Sequence, residues 1–226
     1  SLGVRHTPLF PALVPLNCEN FTKALKGVRA QGKITIKCDG KVLAADTGEI
    51  QYTDYGLSGI PSMQVSRFAA EALVNNGTVF AYVDSAPSFS KDELTEILTD
   101  ISRAHPDYPL EMLLSGLMPK KLSSYLLSGC SLNMNGKIGR LHFSVIEKIV
   151  AAVKNKKYKI SSVKGFPDAQ VTGGGIPASE IDEYIKTFDN FNIQAIKLEN
   201  SYNAARTAAE EMIAVIEDLL FMTENK

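Results

Sequence analysis

Lys33-Ile34-Thr35-Ile36-Lys37-Cys38-Asp39-Gly40-Lys41-Val42-Leu43-Ala44 decides the fold class of this chain. Ile34, Ile36 and Cys38 alternate with Lys33, Thr35 and Lys37, a period of two that sorts apolar and polar side chains onto opposite faces of a strand. Asp39-Gly40 follows at once, and a type I′ turn demands the positive φ that glycine adopts freely. The stretch therefore predicts a β-hairpin. Thr47-Gly48 is read as a second turn before Glu49-Ile50-Gln51-Tyr52-Thr53, which makes residues 27–53 a meander.

Working outward, a short helix is predicted over residues 62–74, ended by Asn75-Asn76-Gly77, and another strand over 78–83. Ser90-Lys91-Asp92-Glu93 has the pattern of a capping box, with Leu94, Ile97, Leu98 and Ile101 as the helical stripe behind it. Residues 110–117, 121–127 and 142–153 give three more predicted helices. Alternation returns in Tyr158-Lys159-Ile160-Ser161-Ser162-Val163 and in Ala169-Gln170-Val171-Thr172. Strands, then helices, then strands predict an α+β fold: a small antiparallel β-barrel with an inserted helical bundle. The barrel lobe is assigned to residues 6–87 and 156–182, and the helical lobe to 88–155. In 183–226, Ala205, Ala209, Met212, Ile216 and Leu219 recur at helical spacing beside Glu210, Glu211, Glu217 and Asp218. That predicts a C-terminal amphipathic helix suited to packing on the body or on a second copy.

The bulk numbers narrow the function classes. A formal net charge of -1 over 226 residues argues against nucleic acid as a partner. No apolar run is long enough to span a bilayer, so no membrane partner is expected. Cys18, Cys38 and Cys130 are widely spaced and without a C-x-x-C, which suits reduced thiols in a cytoplasmic protein. His6, His105 and His142 are scattered, so no metal site is expected. No G-x-G-x-x-G follows a strand, so no pocket for a dinucleotide pyrophosphate is visible.

Gly48-Glu49-Ile50-Gln51-Tyr52-Thr53-Asp54-Tyr55-Gly56-Leu57-Ser58-Gly59-Ile60-Pro61, followed by Gln64-Val65-Ser66-Arg67, resembles a run in the insertion region of BaiN/YhiN-type (aminoacetone-oxidase-like) FAD-dependent flavoprotein oxidoreductases. Leu117-Met118-Pro119-Lys120-Lys121-Leu122 and the segment from Phe166 to Asp182 are similar to further pieces of that family, so the resemblance covers roughly residues 6–182. It implies a six-stranded barrel like that of translation factors, carrying a helical bundle, the whole interrupting a Rossmann-type FAD domain. It also implies that residues 5–16 and 169–176 are the seams where the chain leaves and rejoins that domain. From Glu183 onward the sequence departs from the family, whose members continue into a glycine-rich segment closing around FAD. FAD is thus expected in the parent protein and none on this chain alone, with the missing FAD domain as a partner in cis.

Candidate site residues follow from the seams and the turns. Thr172, Gly173, Gly174 and Gly175 either bring bare backbone up to a ligand, facing the flavin in the parent enzyme, or form a flexible junction ahead of a helix capped by Ser179. His6 lies in the first seam, near substrate in the parent or simply exposed. Asp54 and Tyr55 offer a proton relay at the lobe junction or ordinary turn chemistry. Ser58, within Gly56-Leu57-Ser58-Gly59, lacks the spacing of a nucleophile elbow. Lys154-Asn155-Lys156-Lys157-Tyr158-Lys159 reads as a solvated helix end or as a phosphate-binding patch. The expectation is an insertion domain that covers the flavin and shapes substrate access without catalysing alone. The alternative is a non-catalytic binding or assembly module that uses the barrel and self-associates through the C-terminal helix.

Overall fold

The structure, a computed structural model, describes residues 6–139 and 141–177 together with Met212. Six strands close an antiparallel barrel: β2 (Leu16–Cys18), β3 (Arg29–Cys38), β4 (Lys41–Tyr52), β5 (Gly56–Ser58), β6 (Val79–Asp84) and β7 (Lys156–Val163). Their order around the barrel is β2-β5-β4-β3-β6-β7. The fold is α+β, as the sequence predicts. Helix α1 (Ile60–Val74) follows β5, while α2 (Lys91–Ala104), α3 (Lys120–Ser128) and α4 (Phe143–Lys154) all fall between β6 and β7 in the chain. Outside the barrel, β1 (Thr7–Ala12) pairs with β8 (Val171–Gly175) as a separate two-stranded antiparallel ribbon.

The β3–β4 hairpin is built as its sequence requires. Cys38 pairs with Lys41, and Asp39 (φ 48°) and Gly40 (φ 83°) take the two positive-φ places of the turn. Alternation sends Ile34, Ile36 and Ile50 inward, where they join Leu16, Leu57 and Tyr52 in a fully buried set. This core is continuous with Leu94, Leu98, Leu113, Leu122, Leu126, Ile146 and Ile149 from the helices. Burying each such side chain contributes about 1.5–3 kcal/mol, so barrel and helices are held by one apolar interior. The capping box at α2 is complete: Ser90 Oγ accepts from Glu93 N–H at 3.1 Å, and Glu93 Oε2 accepts from Ser90 N–H at 2.7 Å.

Three sequence expectations need correction. Thr47-Gly48 is not a turn, since β4 runs unbroken with Thr47 opposite Lys33 and Gly48 opposite Gly32. Gly48 lies within the strand beside Pro61 at the start of α1, at ordinary contact distance. Residues 110–117 do not form an α-helix; only a single 3-10 turn, Leu110–Met112, is helical, entered from Pro109. The glycine-rich stretch 172–175 is strand rather than a flexible junction. The C-terminal amphipathic helix predicted in 183–226, and the Ser179 cap, lie outside the described residues.

Candidate functional site: the paired seams

The two seams read from the sequence are neighbours in the fold. Thr7 pairs with Gly175, Phe10 with Gly173, Pro11 with Thr172 and Ala12 with Val171. Pro8 and Pro11 donate no backbone hydrogen bond, which a strand with a free edge tolerates. The ribbon is tied at its outer end by Thr7 Oγ1, which donates to the Gly175 carbonyl at 3.0 Å. At its inner end the chain after β1 is fixed to α1, where Val14 N–H donates to the buried Ser66 Oγ at 3.1 Å.

The glycines of β8 have an internal cause. A Cβ at Gly173 would fall on the Phe10 ring, and one at Gly174 (φ 85°) would fall on the Pro8 carbonyl oxygen. Gly173 and Gly174 therefore form a floor for β1. Gly175 alone is open, with no heavy atom near the place of a Cβ. Thr172 is exposed, and so are Leu9 on β1 and Ile176 just past β8.

His6 is exposed and sits beside Thr7, so the structure does bring it next to residues 172–175. Asp54 and Tyr55 lie elsewhere, on the turn between β4 and β5. Lys26 Nζ donates to Asp54 Oδ2 at 2.8 Å, and that hydrogen bond, with the charge of Lys26 behind it, holds the Asp54 carboxyl below its ordinary value. An exposed, ion-paired carboxylate that stays charged is poorly suited to relay protons near neutrality. The turn chemistry is explicit: Thr53 Oγ1 accepts from the N–H groups of Tyr55 and Gly56, and Tyr55 O accepts from Cys18 N–H at 2.8 Å. The Tyr55 ring is covered by Lys164, whose Nζ lies 4.1 Å from its centroid. Ser58 gives its carbonyl to Ser62 Oγ at 2.7 Å, closing the turn into α1, and has no nucleophile's surroundings.

The lysine run 154–159 is dispersed by the fold. Lys154 is not a solvated helix end: its Nζ lies 2.6 Å from Asp84 Oδ2 and also donates to the carbonyls of Ala86 and Phe89, with the side chain only 10% exposed. Lys156 covers the Tyr125 ring, while Lys157 and Lys159 point out from the barrel. Sequence reasoning missed the Lys154–Asp84 pair because nothing local joins residues so far apart in the chain.

Burial sets the state of the interior titratable groups. Desolvation pushes the Cys18 thiol and the Tyr52 hydroxyl each up to about 12, and raises Tyr158 further. All three are neutral packing groups. Among the described residues no cluster of His, Cys, Asp and Glu could hold a metal ion.

Among the described residues are two open hollows. One of about 480 Å³ lies between α2 and α4, lined by Thr99, Ser102, Arg103, Leu141, Phe143 and Ile146. The other, about 490 Å³, includes Ala45, Ile60, Gln64 and Phe68 beside the start of α1. Neither touches the seams. A flavin dinucleotide needs backbone N–H groups of a glycine-rich turn at a helix start to meet its pyrophosphate. Here the space beside Gly173 and Gly174 is taken by Phe10 and Pro8 of β1, so these two glycines do not themselves offer such a turn.

A six-stranded barrel with three helices placed between its last two strands, accompanied by a two-stranded ribbon, defines a barrel-and-helix domain. Residues 10–171 match the family described as HI0933-like protein barrel and H2TH domain, and the chain belongs to that family. The BaiN/YhiN-type membership expected from residues 48–61 is thereby borne out. The chain is similar to the 3-dehydro-bile acid delta(4,6)-reductase of Clostridium scindens (strain ATCC 35704 / DSM 5676 / VPI 13733 / 19), with 33% identity over 183 residues. The match covers 80% of this chain and 44% of that relative, so the chain spans less than half the relative's length. No helix among the described residues is long and apolar enough to cross a membrane.

Proposed function

We propose that this chain is the insertion domain of an FAD-dependent oxidoreductase, covering the flavin and shaping substrate access, with the redox chemistry supplied by residues and cofactor beyond it. The observation that carries the reading is the β1–β8 register, in which Thr7 stands opposite Gly175. Chain entering at β1 and chain leaving at β8 are side by side, the geometry a domain needs to interrupt another without disturbing it. Family membership and the reductase relative support the same class, by analogy.

Within this reading FAD supplies the electron-transfer chemistry when bound to the parent protein. His6 and residues 172–175 sit at the junction and face the flavin-bearing domain, a partner in cis, with Gly175 the one glycine there whose missing side chain leaves open space. Asp54, held by Lys26, anchors the β4–β5 turn instead of moving protons. The name of the relative suggests a steroid acid as the substrate class of the parent. Nothing at the ribbon favours the assembly-module alternative.

The test is a visible absorbance spectrum after incubation with excess FAD and desalting. The chain alone should emerge colourless, and the full-length product of the same gene should carry a flavin band. Flavin retained by the isolated chain would overturn the segmental reading, and a full-length product that takes up no flavin would overturn the oxidoreductase reading.

A further inference from the structure

Lys33, Lys37, Lys157 and Lys159 are far apart in sequence, yet the barrel gathers them. Thr35 stands opposite Tyr82 and Lys37 opposite Phe80, while on the other side of β6 Tyr82 stands opposite Lys157 and Phe80 opposite Lys159. Alternation turns these side chains outward, as Ile34, Ile36, Ala81, Val83, Tyr158 and Ile160 turn inward and are buried. The outer face of β3-β6-β7 thus carries four lysines around two half-buried aromatic rings. Lys157 Nζ lies 3.8 Å from the Phe80 centroid and 5.8 Å from that of Tyr82, and Lys37 Nζ lies 4.6 Å from the Tyr82 centroid.

Little negative charge answers this set. Among the described residues one carboxylate reaches it, Glu19, at 2.9 Å from Lys159 Nζ. Asp84, opposite Lys33 in the register, is already engaged: its Oδ2 by Lys154 and its Oδ1 by the Ala86 N–H. The whole-chain charge of -1 gives no sign of the patch, because a net sum carries no positions.

We propose that this face docks single-stranded nucleic acid. An open sheet face lacks the concavity that would enclose a small ligand, but it suits a polymer laid across it. Lysine ammonium groups meet phosphates as point charges, giving sequence-independent, salt-dependent attachment. The rings separate this partner from an acidic protein surface, which would use the ammonium groups alone. A single strand uses both: as Lys37 and Lys157 swing onto phosphates, Phe80 and Tyr82 are uncovered for base stacking. The exchange gives up only the weak attraction of an exposed cation for a ring face. Along the chain the aromatic and basic residues look sparsely interleaved; across strands Phe80 has a lysine on both sides and Tyr82 has one opposite it on β7.

The experiment is fluorescence anisotropy of labelled oligouridine titrated with the full chain at low salt. Binding is expected, with log affinity falling against log salt at a slope of about −2 for three phosphate contacts. Lys37→Gln/Lys157→Gln should weaken it about tenfold or more, and Tyr82→Leu by roughly fivefold or more through lost stacking. Thermal melts matching the unsubstituted chain confirm that the variants are folded; should Tyr82→Leu melt early, Phe80→Leu replaces it. No anisotropy change at low salt would overturn the proposal. So would equal binding by the lysine variant, indifference to both ring variants, or displacement by polyglutamate as effective as by unlabelled oligouridine.

Discussion

Replacing Lys154 by methionine removes one ammonium group that holds three separate partners. Its side chain reaches from the last turn of α4 to Asp84 at 2.6 Å, Ala86 O at 3.0 Å and Phe89 O at 2.5 Å, joining the helical segment to the end of β6. Methionine fills the space but leaves Asp84 charged and largely desolvated, since its side chain is 19% exposed. Breaking a buried pair from one side costs about 3–5 kcal/mol, and the partial exposure of Asp84 brings that to about 2–4 kcal/mol. In a chain of this size each kcal/mol moves Tm by about 2–4 °C, so Lys154→Met should melt roughly 5–15 °C lower. The assay is thermal unfolding followed by circular dichroism, run beside Asp84→Asn and the double variant. Because the neutral amide introduced by Asp84→Asn no longer strands a charge, the double variant should be more stable than Lys154→Met. A fall in Tm under about 2 °C, or a double variant showing the sum of the two single losses, would refute the reasoning.

The remaining predictions concern the ribbon and the interior. Gly174→Ala should loosen β1 from β8, because the new methyl falls on the Pro8 carbonyl and the left-handed backbone itself costs about 1–2 kcal/mol. Amide exchange over residues 171–175 should speed up far more than in Thr172→Ala, an exposed position on the same strand; equal effects would count against the paired ribbon. Stability should fall on the alkaline side. Cys18, ordinarily at 9.0, and Tyr52, ordinarily at 10.0, are both raised to about 12 by burial, so the folded chain keeps protons that the unfolded chain releases. The stabilisation is complete below about pH 9 and declines by about 1.4 kcal/mol per pH unit per group up to pH 12. A urea midpoint unchanged between pH 8 and pH 11 would contradict the burial of these groups.

How much could be read from the sequence depended on how local each cause was. The Asp39-Gly40 hairpin and the Ser90–Glu93 capping box are contacts between near neighbours in the chain, and both form as read. Gly48 misled because a glycine is taken for a turn by default, whereas here it stays in the ladder opposite Gly32. Residues 110–117 carried apolar spacing, but Gly116 takes a positive φ of 87° that ends any helical run, so the segment holds only one 3-10 turn. Gly173 and Gly174 allow a close approach whose cause lies far off in the chain: what comes near them is Phe10 and Pro8 of β1, from the opposite end of the domain's sequence. Lys154 and the outer lysine face depend on which strands become neighbours, information that no window of sequence holds.

The pairing of Thr7 with Gly175 has a bearing on protein engineering. On the proposed reading, everything between those residues could be excised from the surrounding protein and replaced by a tight two-residue turn, because the two ends already stand at strand-pair distance. The same geometry makes the block portable: spliced into the tip of a surface hairpin in an unrelated host, it would ask for no spacer and impose little loop-closure entropy on either fold. Exchange of such blocks between relatives could then diversify what reaches a shared cofactor while leaving the host's own folding untouched.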